Sequence, residues 1–458
     1  MYDLIVRGGT LVTESGVFAA AVAIRDGRIA ALLAPDEPAG AHAELDARGC
    51  HVFPGVVDAH VHLNEPGRTA WEGYATGTRA AAVGGTTTVL DMPLNCLPPT
   101  LDAAALATKR AAVGSQAVID YAHWGGLTPL NLPALPELFA GGVVGVKAFM
   151  CASGVPEFPA ADDATLFRGF QQAARLGGIV AVHAENDGLA RALGEALRAE
   201  GHHEPTAWAA SRPPSCELEA VQRALLLARE AGARVHFVHL STAAAVRAVA
   251  AARTEGVRAT CETCPHYLTF DSEELTHQGA RVKCAPPLRP RAEVEALWAC
   301  VRAGLVDLIA SDHSPCTPAD KRGDIWQAWG GIDGLQTTLA AVLTEGVARR
   351  GLPLPAVARL LAGAPARLFG LWPRKGALAV GADADLALVD LDAEWVLSEG
   401  MQQTRNRQSP YLGRRFQGRV VATLVRGVVV ARDGEPVAPA GHGQLLCPQP
   451  PAIAPATP

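Results

Sequence analysis

The sequence predicts an α/β fold: a (β/α)8 TIM-like barrel with a small β-sandwich formed by both chain ends. Three observations carry this. Eight short, nearly continuous apolar runs lie between residues 52 and 314, as strands covered on both faces require. Most are followed by Ala- and Leu-rich stretches of helical pattern, several ending in Gly. The two ends of the chain carry short strand-like runs separated by turn residues instead.

In chain order, DLIVRGGTLV, AAVAIRDGRIAALL and AELDARGCHVF read as short strands, with Asp26-Gly27 as a two-residue hairpin turn. The eight barrel strands follow: VFPGVVDAHVH, TTTVLDMP, AVIDYAHWG, VVGVKAFM, IVAVHAEN, RVHFVHLS, VRATCETCPHYL and DLIASDHS. The helical patterns include ADDATLFRGFQQAARLGG, STAAAVRAVAAARTEG and GLQTTLAAVLTEGVARRG, and Asp271-Ser272-Glu273-Glu274 reads as a helix start. Strands return in ADADLALVDLD and GRVVATLVRGVVVARDG. Each flanking set is too small to be stable alone, so the two are expected to join into one sandwich. The expected division is 1–53 and 372–440 for the sandwich, 54–371 for the barrel, and 441–458 for a Pro-rich tail, expected to be poorly ordered.

Composition narrows the function. Hydrophobic residues make up 49% and charged residues 19% of the 458, which suits a large core. Net charge is -6 with no basic run, which argues against nucleic acid as a partner. No apolar run is long enough to span a membrane, and MYDLIVRGGTLV lacks the pattern of a secretory signal. The ten cysteines are therefore expected to be reduced and the protein cytoplasmic. Cys261 and Cys264 have C-x-x-C spacing but no second pair to complete a zinc ribbon, so they read as incidental thiols.

Barrel active sites form at the C-terminal ends of the strands. There the sequence places His60 and His62, Lys147, His183, His239 and Asp312, each late in an apolar run. Two residues two apart on a strand point to one side, as a metal needs. Taken alone, His60-Val61-His62 reads equally as a solvated strand end. Four histidines and an aspartate at the strand ends of one barrel have no packing explanation, because buried polar groups without partners are costly. A buried lysine amine tends to be neutral and can form a carbamate with carbon dioxide, an anion able to bridge two divalent ions. Imidazole and carboxylate ligands suit zinc and its neighbours. Two such ions activate water and polarise a carbonyl, with Asp312 as the general base and acid.

On these residues the chain resembles the cyclic amidohydrolases, a family that includes dihydroorotases, hydantoinases, dihydropyrimidinases and allantoinases. Its resemblance to the bacterial allantoinases is close and runs over nearly the whole chain. The matching segments are EPGRTAWEGYATGTRAAAVGGTTTVLDMPLN, TCPHY with KCAPPLR, and SDHSPCTPADKRGDIWQAWGGIDGLQ. The resemblance implies two divalent metal ions, zinc foremost, with manganese or cobalt as alternatives. His60, His62 and Asp312 would hold the more buried ion, and His183 and His239 the other. Lys147 would bridge them as N6-carboxylysine. It also implies that a metal-bridging hydroxide hydrolyses the cyclic amide of allantoin to allantoate, in a homotetramer. Dihydroorotases typically carry Arg where Asn64 stands, to pair a substrate carboxylate that allantoin lacks. Hydantoinases and dihydropyrimidinases typically carry an oxyanion-donating Tyr where Ala152 stands. Asn64, Asn95, Ser314 and Gly331 of the Gly330-Gly331 turn are candidate substrate contacts. Ala285 is another through its backbone, where relatives often have Ser. The alternatives are a hydantoinase-like or dihydropyrimidinase-like enzyme, or a non-catalytic assembly protein on the same fold. The latter typically loses the metal ligands retained here.

Overall fold

The apolar run Val52–His62, expected as one strand, is two. His51–Pro54 pairs antiparallel with Leu386–Val396, whereas Val56–Val61 pairs parallel with Thr86–Asp91. The break is at Gly55, where a Cβ would lie 2.2 Å from Thr87 Oγ1, so only glycine lets the chain cross between the layers there. The structure, a computed structural model, describes residues 1–448.

All eight expected barrel strands are present: Val56–Val61, Thr86–Asp91, Asp120–His123, Val146–Phe149, Ile179–His183, Arg234–Phe237, Ala259–Thr263 and Leu308–Ile309. Consecutive strands pair in parallel, with Gly125–Gly126 extending the third to reach the fourth. The ring closes where His313 bridges to Val61 and His62 N donates to His313 O at 2.7 Å. Helices pack outside, and local chemistry starts them. Asp102, Asp162, Asn186 and Thr242 cap Ala103–Val113, Asp163–Arg175, Asp187–Ala199 and Ala243–Thr254, each accepting from a backbone N–H three residues on. The expected start at Asp271 is a short helix, Glu274–Gln278, preceded by an Asp271 carboxylate that accepts from Glu273 N at 3.0 Å.

The sandwich has a four-stranded sheet, Tyr2–Arg7, Ala21–Arg25, Arg28–Leu33 and Ala41–Asp46, and a seven-stranded one. The larger sheet mixes both chain ends: Thr10–Thr13, Gly16–Ala19 and His51–Pro54 lie beside Leu386–Val396, Arg415–Val425, Val428–Arg432 and Glu435–Pro436. Asp26 and Gly27 have φ of 51 and 73, the positive pair that a tight hairpin needs.

The expectation for the tail is corrected over its first part. Gly441 N and Gly443 N donate to Ala117 O, Gln444 O accepts from Tyr121 N, and Leu446 N returns to Tyr121 O at 2.7 Å. These residues line the edge of the third barrel strand ahead of His123, where the fourth has not yet begun to pair, and Leu446 is buried. The rest of the Pro-rich tail, 449–458, lies outside the described residues.

A buried ionic cluster joins these parts. Lys375 Nζ lies 2.5 Å from Asp120, 2.9 Å from Asp383 and 2.7 Å from Asp385, and Arg426 pairs with Asp120 as well. Burial opposes the lysine charge, but Asp385, Asp120 and Asp383 outweigh it and raise its pKa. Lys375→Met leaves three carboxylates facing one another, and we expect a loss of about 3–5 kcal/mol in denaturant unfolding. An unchanged midpoint contradicts the bridging role.

Candidate metal centre

Asp58 sets the first half of the site. It is fully buried in the first strand, and its Oδ1 accepts from His60 N at 3.2 Å and from Ser311 N at 3.0 Å. Burial raises its pKa to about 6. By tying the first strand to the eighth, it draws Asp312 toward the histidine pair. Asp312 Oδ1 lies 3.2 Å from His60 Nε2 and 3.5 Å from His62 Nε2, and the three ligand atoms converge within 4.8 Å of one another. Glu262 on the seventh strand accepts from His60 Nδ1 at 2.6 Å, which leaves Nε2 as the ring's free lone pair. The second carboxylate oxygen of Glu262 engages His236 Nε2 at 3.0 Å.

The second half follows the same logic. His183 Nε2 contacts Glu185 Oε2 at 2.8 Å, so its Nδ1 is turned inward to 3.0 Å from His239 Nε2. Glu185 is in turn held by Arg212 at 2.8 Å. Burial disfavours its charge, but Arg212 and His183 more than offset this and keep its pKa near 2. Cys151, His183 and Glu185 also form a cluster with metal-ligand spacing. There Arg212 already neutralises the carboxylate, and burial pushes the Cys151 thiol up to about 12, so the group orients His183 instead of offering an anionic sulfur. The other paired thiols, Cys261 and Cys264, are free and buried, and burial raises both pKa values.

Lys147 stands between the halves. It is wholly buried, and its Nζ has no hydrogen-bond partner among the described residues. Burial lowers its pKa to about 8 although Asp312 and Glu262 pull the other way. Burial also lowers His60, His183 and His239, which keeps their imidazoles neutral. The donor set fits divalent metal: neutral ring nitrogens turned to one space, one carboxylate, and an unpartnered amine able to become an anion. His239 and Asp312 have φ of 41 and 44, and Asn64 and Asn95 of 62 and 69. Left-handed backbone at four non-glycine positions of one site is strain of a kind that gathers at functional centres.

The other candidates lie around this core. Asn64 is buried, with Nδ2 at 3.4 Å from Pro315 O and its Oδ1 unpartnered among the described residues. The Asn95 amide sits 3.4 Å from His62 Nδ1, where it can orient that ring. Ser314 N donates to Ile332 O at 2.9 Å, and Gly331 packs so closely that a Cβ would lie 2.0 Å from Ser314 O. Ala285 follows Cys284, whose Cα lies 3.9 Å from the Cβ position of Gly330. Ala152 N donates to Asp187 at 3.0 Å, and no tyrosine occupies that position. Sequence reasoning missed Glu262, Glu185, His236 and His266. His266, in TCPHY, is buried with Nε2 unpartnered among the described residues. A carboxylate inside an apolar strand, as in CET, or just past the end of one, as in HAEN, was the available signal for the two glutamates.

With this geometry, the chain belongs to the amidohydrolase family, whose profile matches residues 51–430. Its similarity then narrows. It is 53% identical to the allantoinase of Rubrobacter xylanophilus, covering 96% of this chain and 97% of that one. It is 50% identical to that of Solibacter usitatus (98% of each) and 42% to that of Escherichia coli O127:H6 (96% and 98%). Among solved structures, the L-hydantoinase (dihydropyrimidinase) from Arthrobacter aurescens aligns with a TM-score of 0.95 at 37% identity, over 98% of this chain and 100% of that one.

The orienting role of Glu262 is testable. Glu262→Gln keeps the shape but removes the anion shared by His60 and His236. We expect metal affinity to fall by about 10–100-fold in a competitive chelator titration, with the fold retained by circular dichroism. Wild-type affinity in the variant rules the role out.

Proposed function

We propose that this chain hydrolyses the cyclic amide of allantoin to allantoate. The observation that carries it is the convergence of His60, His62 and Asp312 beside the His183–His239 pair, around a buried amine with no partner among the described residues. His60, His62 and Asp312 would hold one divalent ion and His183 and His239 a second, with the Lys147 carbamate reaching both. Zinc suits this donor set best, with manganese or cobalt as alternatives. Bound metal supplies Lewis acidity toward the amide carbonyl and lowers the pKa of water.

The chain's own residues do the rest. The Asp312 carboxylate accepts the proton of the attacking water. It returns that proton to the ring nitrogen as the C–N bond breaks, and the acid formed at the carbonyl carbon releases the second water proton to solvent and becomes a carboxylate. Glu262 and Glu185 hold the His60 and His183 imidazoles in their orientations throughout. Asn64 offers a neutral amide where a charged side chain would face a substrate without a carboxylate, and Ala152 removes the phenol that a hydantoinase-type pocket would use. Asn95, Ser314, Gly331 and the backbone at Ala285 are the candidate contacts of the ring and ureido group. The resemblance to allantoinases supports this choice over hydantoin or dihydropyrimidine. No helix among the described residues is long and apolar enough to cross a membrane, and the ten cysteines are free, in keeping with a cytoplasmic enzyme. A homotetramer belongs to the same reading. The proposed units are a sandwich of 1–53 and 372–440 and a barrel of 54–371.

Turnover of allantoin, hydantoin, dihydrouracil and dihydroorotate by metal-loaded protein tests the substrate. Allantoin is expected to be the best of the four, and the reading fails if it is the poorest.

The lysine reading has a pH signature. Carbon dioxide adds to the free amine, which is the minor form below a pKa of about 8. From pH 6 to 8 the free fraction rises from about 1% to about 50%. Addition of carbon dioxide releases one proton as the carbamate forms, and its rate follows the free amine, so at constant dissolved carbon dioxide the initial rate of 13C incorporation into metal-free protein should rise about 50-fold across that range and be absent in Lys147→Met. Uptake independent of pH, or equal in the variant, contradicts it.

A further inference from the structure

Two lysines lie in the segments KCAPPLR and SDHSPCTPADKRGD, and the mechanism above uses neither. Lys283 Nζ donates to Ala328 O at 2.5 Å. Lys321 Nζ donates to Trp329 O at 3.0 Å and Gly331 O at 2.7 Å. Three carbonyls of one short turn are thus held by two ammonium groups. Neither lysine has a carboxylate within salt-bridge distance among the described residues, although Lys283 is buried and also lies 4.0 Å over the Trp208 ring. Burial lowers Lys283 to about 7, helped by Lys321, and lowers Lys321 to about 8. Placing one buried and one half-buried cation side by side without counter-ions is costly, and a turn that only links two elements needs no such support.

The turn they hold stands beside the catalytic centre. Gly331 N donates to Lys283 O at 2.8 Å, and Ile332 O accepts from Ser314 N, two residues beyond Asp312. The indole of Trp329 donates to Ser314 O at 3.4 Å and meets Trp71 at 4.5 Å from the opposite loop. Gly330, between the held carbonyls, has neither its N–H nor its C=O bonded among the described residues. A Cβ at Gly330 would lie 3.9 Å from Cys284 Cα, so the turn passes close to the segment that leads to Ala285.

We propose that Lys283 and Lys321 are positioning residues for substrate: they fix the Ala328–Gly331 turn so that the free backbone groups of Gly330 meet the ureido substituent of the ring. The inference rests on the allantoin reading. That substrate has no charge to grip, so recognition falls to amide-type donors and acceptors, whose direction must be set in advance. The lysines act through the turn and touch no reacting atom.

Steady-state kinetics of Lys321→Met and Lys283→Met, with allantoin and with hydantoin, which lacks the ureido group, test this. Hydantoin is followed as a substrate or as a competitive inhibitor. For allantoin, KM should rise about tenfold, with kcat within about threefold and metal content unchanged. The hydantoin constant should stay within about twofold, because the lost contact is one that hydantoin never makes. Lys321→Gln, which keeps a donor, should fall between wild type and Lys321→Met and serves if the methionine variants do not fold. An unchanged allantoin KM overturns the inference. So does an equal shift for both compounds, or a loss of metal with kcat, since those report general damage to the site. Metal-loaded wild type that fails to turn over allantoin instead sinks the functional reading itself.

Discussion

Everything at the metal centre depends on how the barrel closes. The last strand is only Leu308–Ile309, and the ring is completed beyond it by Ser311 and His313 bonding to Asp58 and His62. Closure therefore falls at the residues that carry chemistry. Asp312, between Ser311 and His313, is forced to φ 44 and turned onto the histidine pair. A barrel closed one residue out of register would send that carboxylate to the other face.

A second constraint is charge. Four imidazoles and an amine share one buried space, and as cations they would repel one another. Burial lowers His60, His183, His239 and Lys147, so they enter as lone-pair donors. The anions needed to aim those donors stand behind them. Glu262 fixes His60 and His236, and Glu185 fixes His183 with Arg212 at its back. The orientations of the His60 and His183 rings are thereby set before any metal arrives.

How far the sequence reveals this depends on the kind of signal. His60, His62, Lys147, His183, His239 and Asp312 are legible because a polar residue ending an apolar strand has no packing explanation. The eight strands are legible because each is a continuous apolar run. The division at Gly55 is not, since Val52–His62 reads as one run and only the contact with Thr87 forces the break. Glu262 is hidden for another reason: it lies between two cysteines whose spacing invites a different question. The tail composition suggests disorder, yet residues 441–446 find a free strand edge that no local pattern announces. Lys283 and Lys321 are visible in their motifs, but their lack of carboxylate partners among the described residues emerges only in three dimensions.

Anomalous scattering from crystals of the zinc-loaded protein, grown with bicarbonate, tests the two-ion centre most directly. The account requires two peaks per chain. One should lie among His60, His62 and Asp312 and the other between His183 and His239, with carbamate density on Lys147 between them. A single peak, an ion seated at Cys151 and Glu185, or two ions beside an unmodified lysine would contradict it.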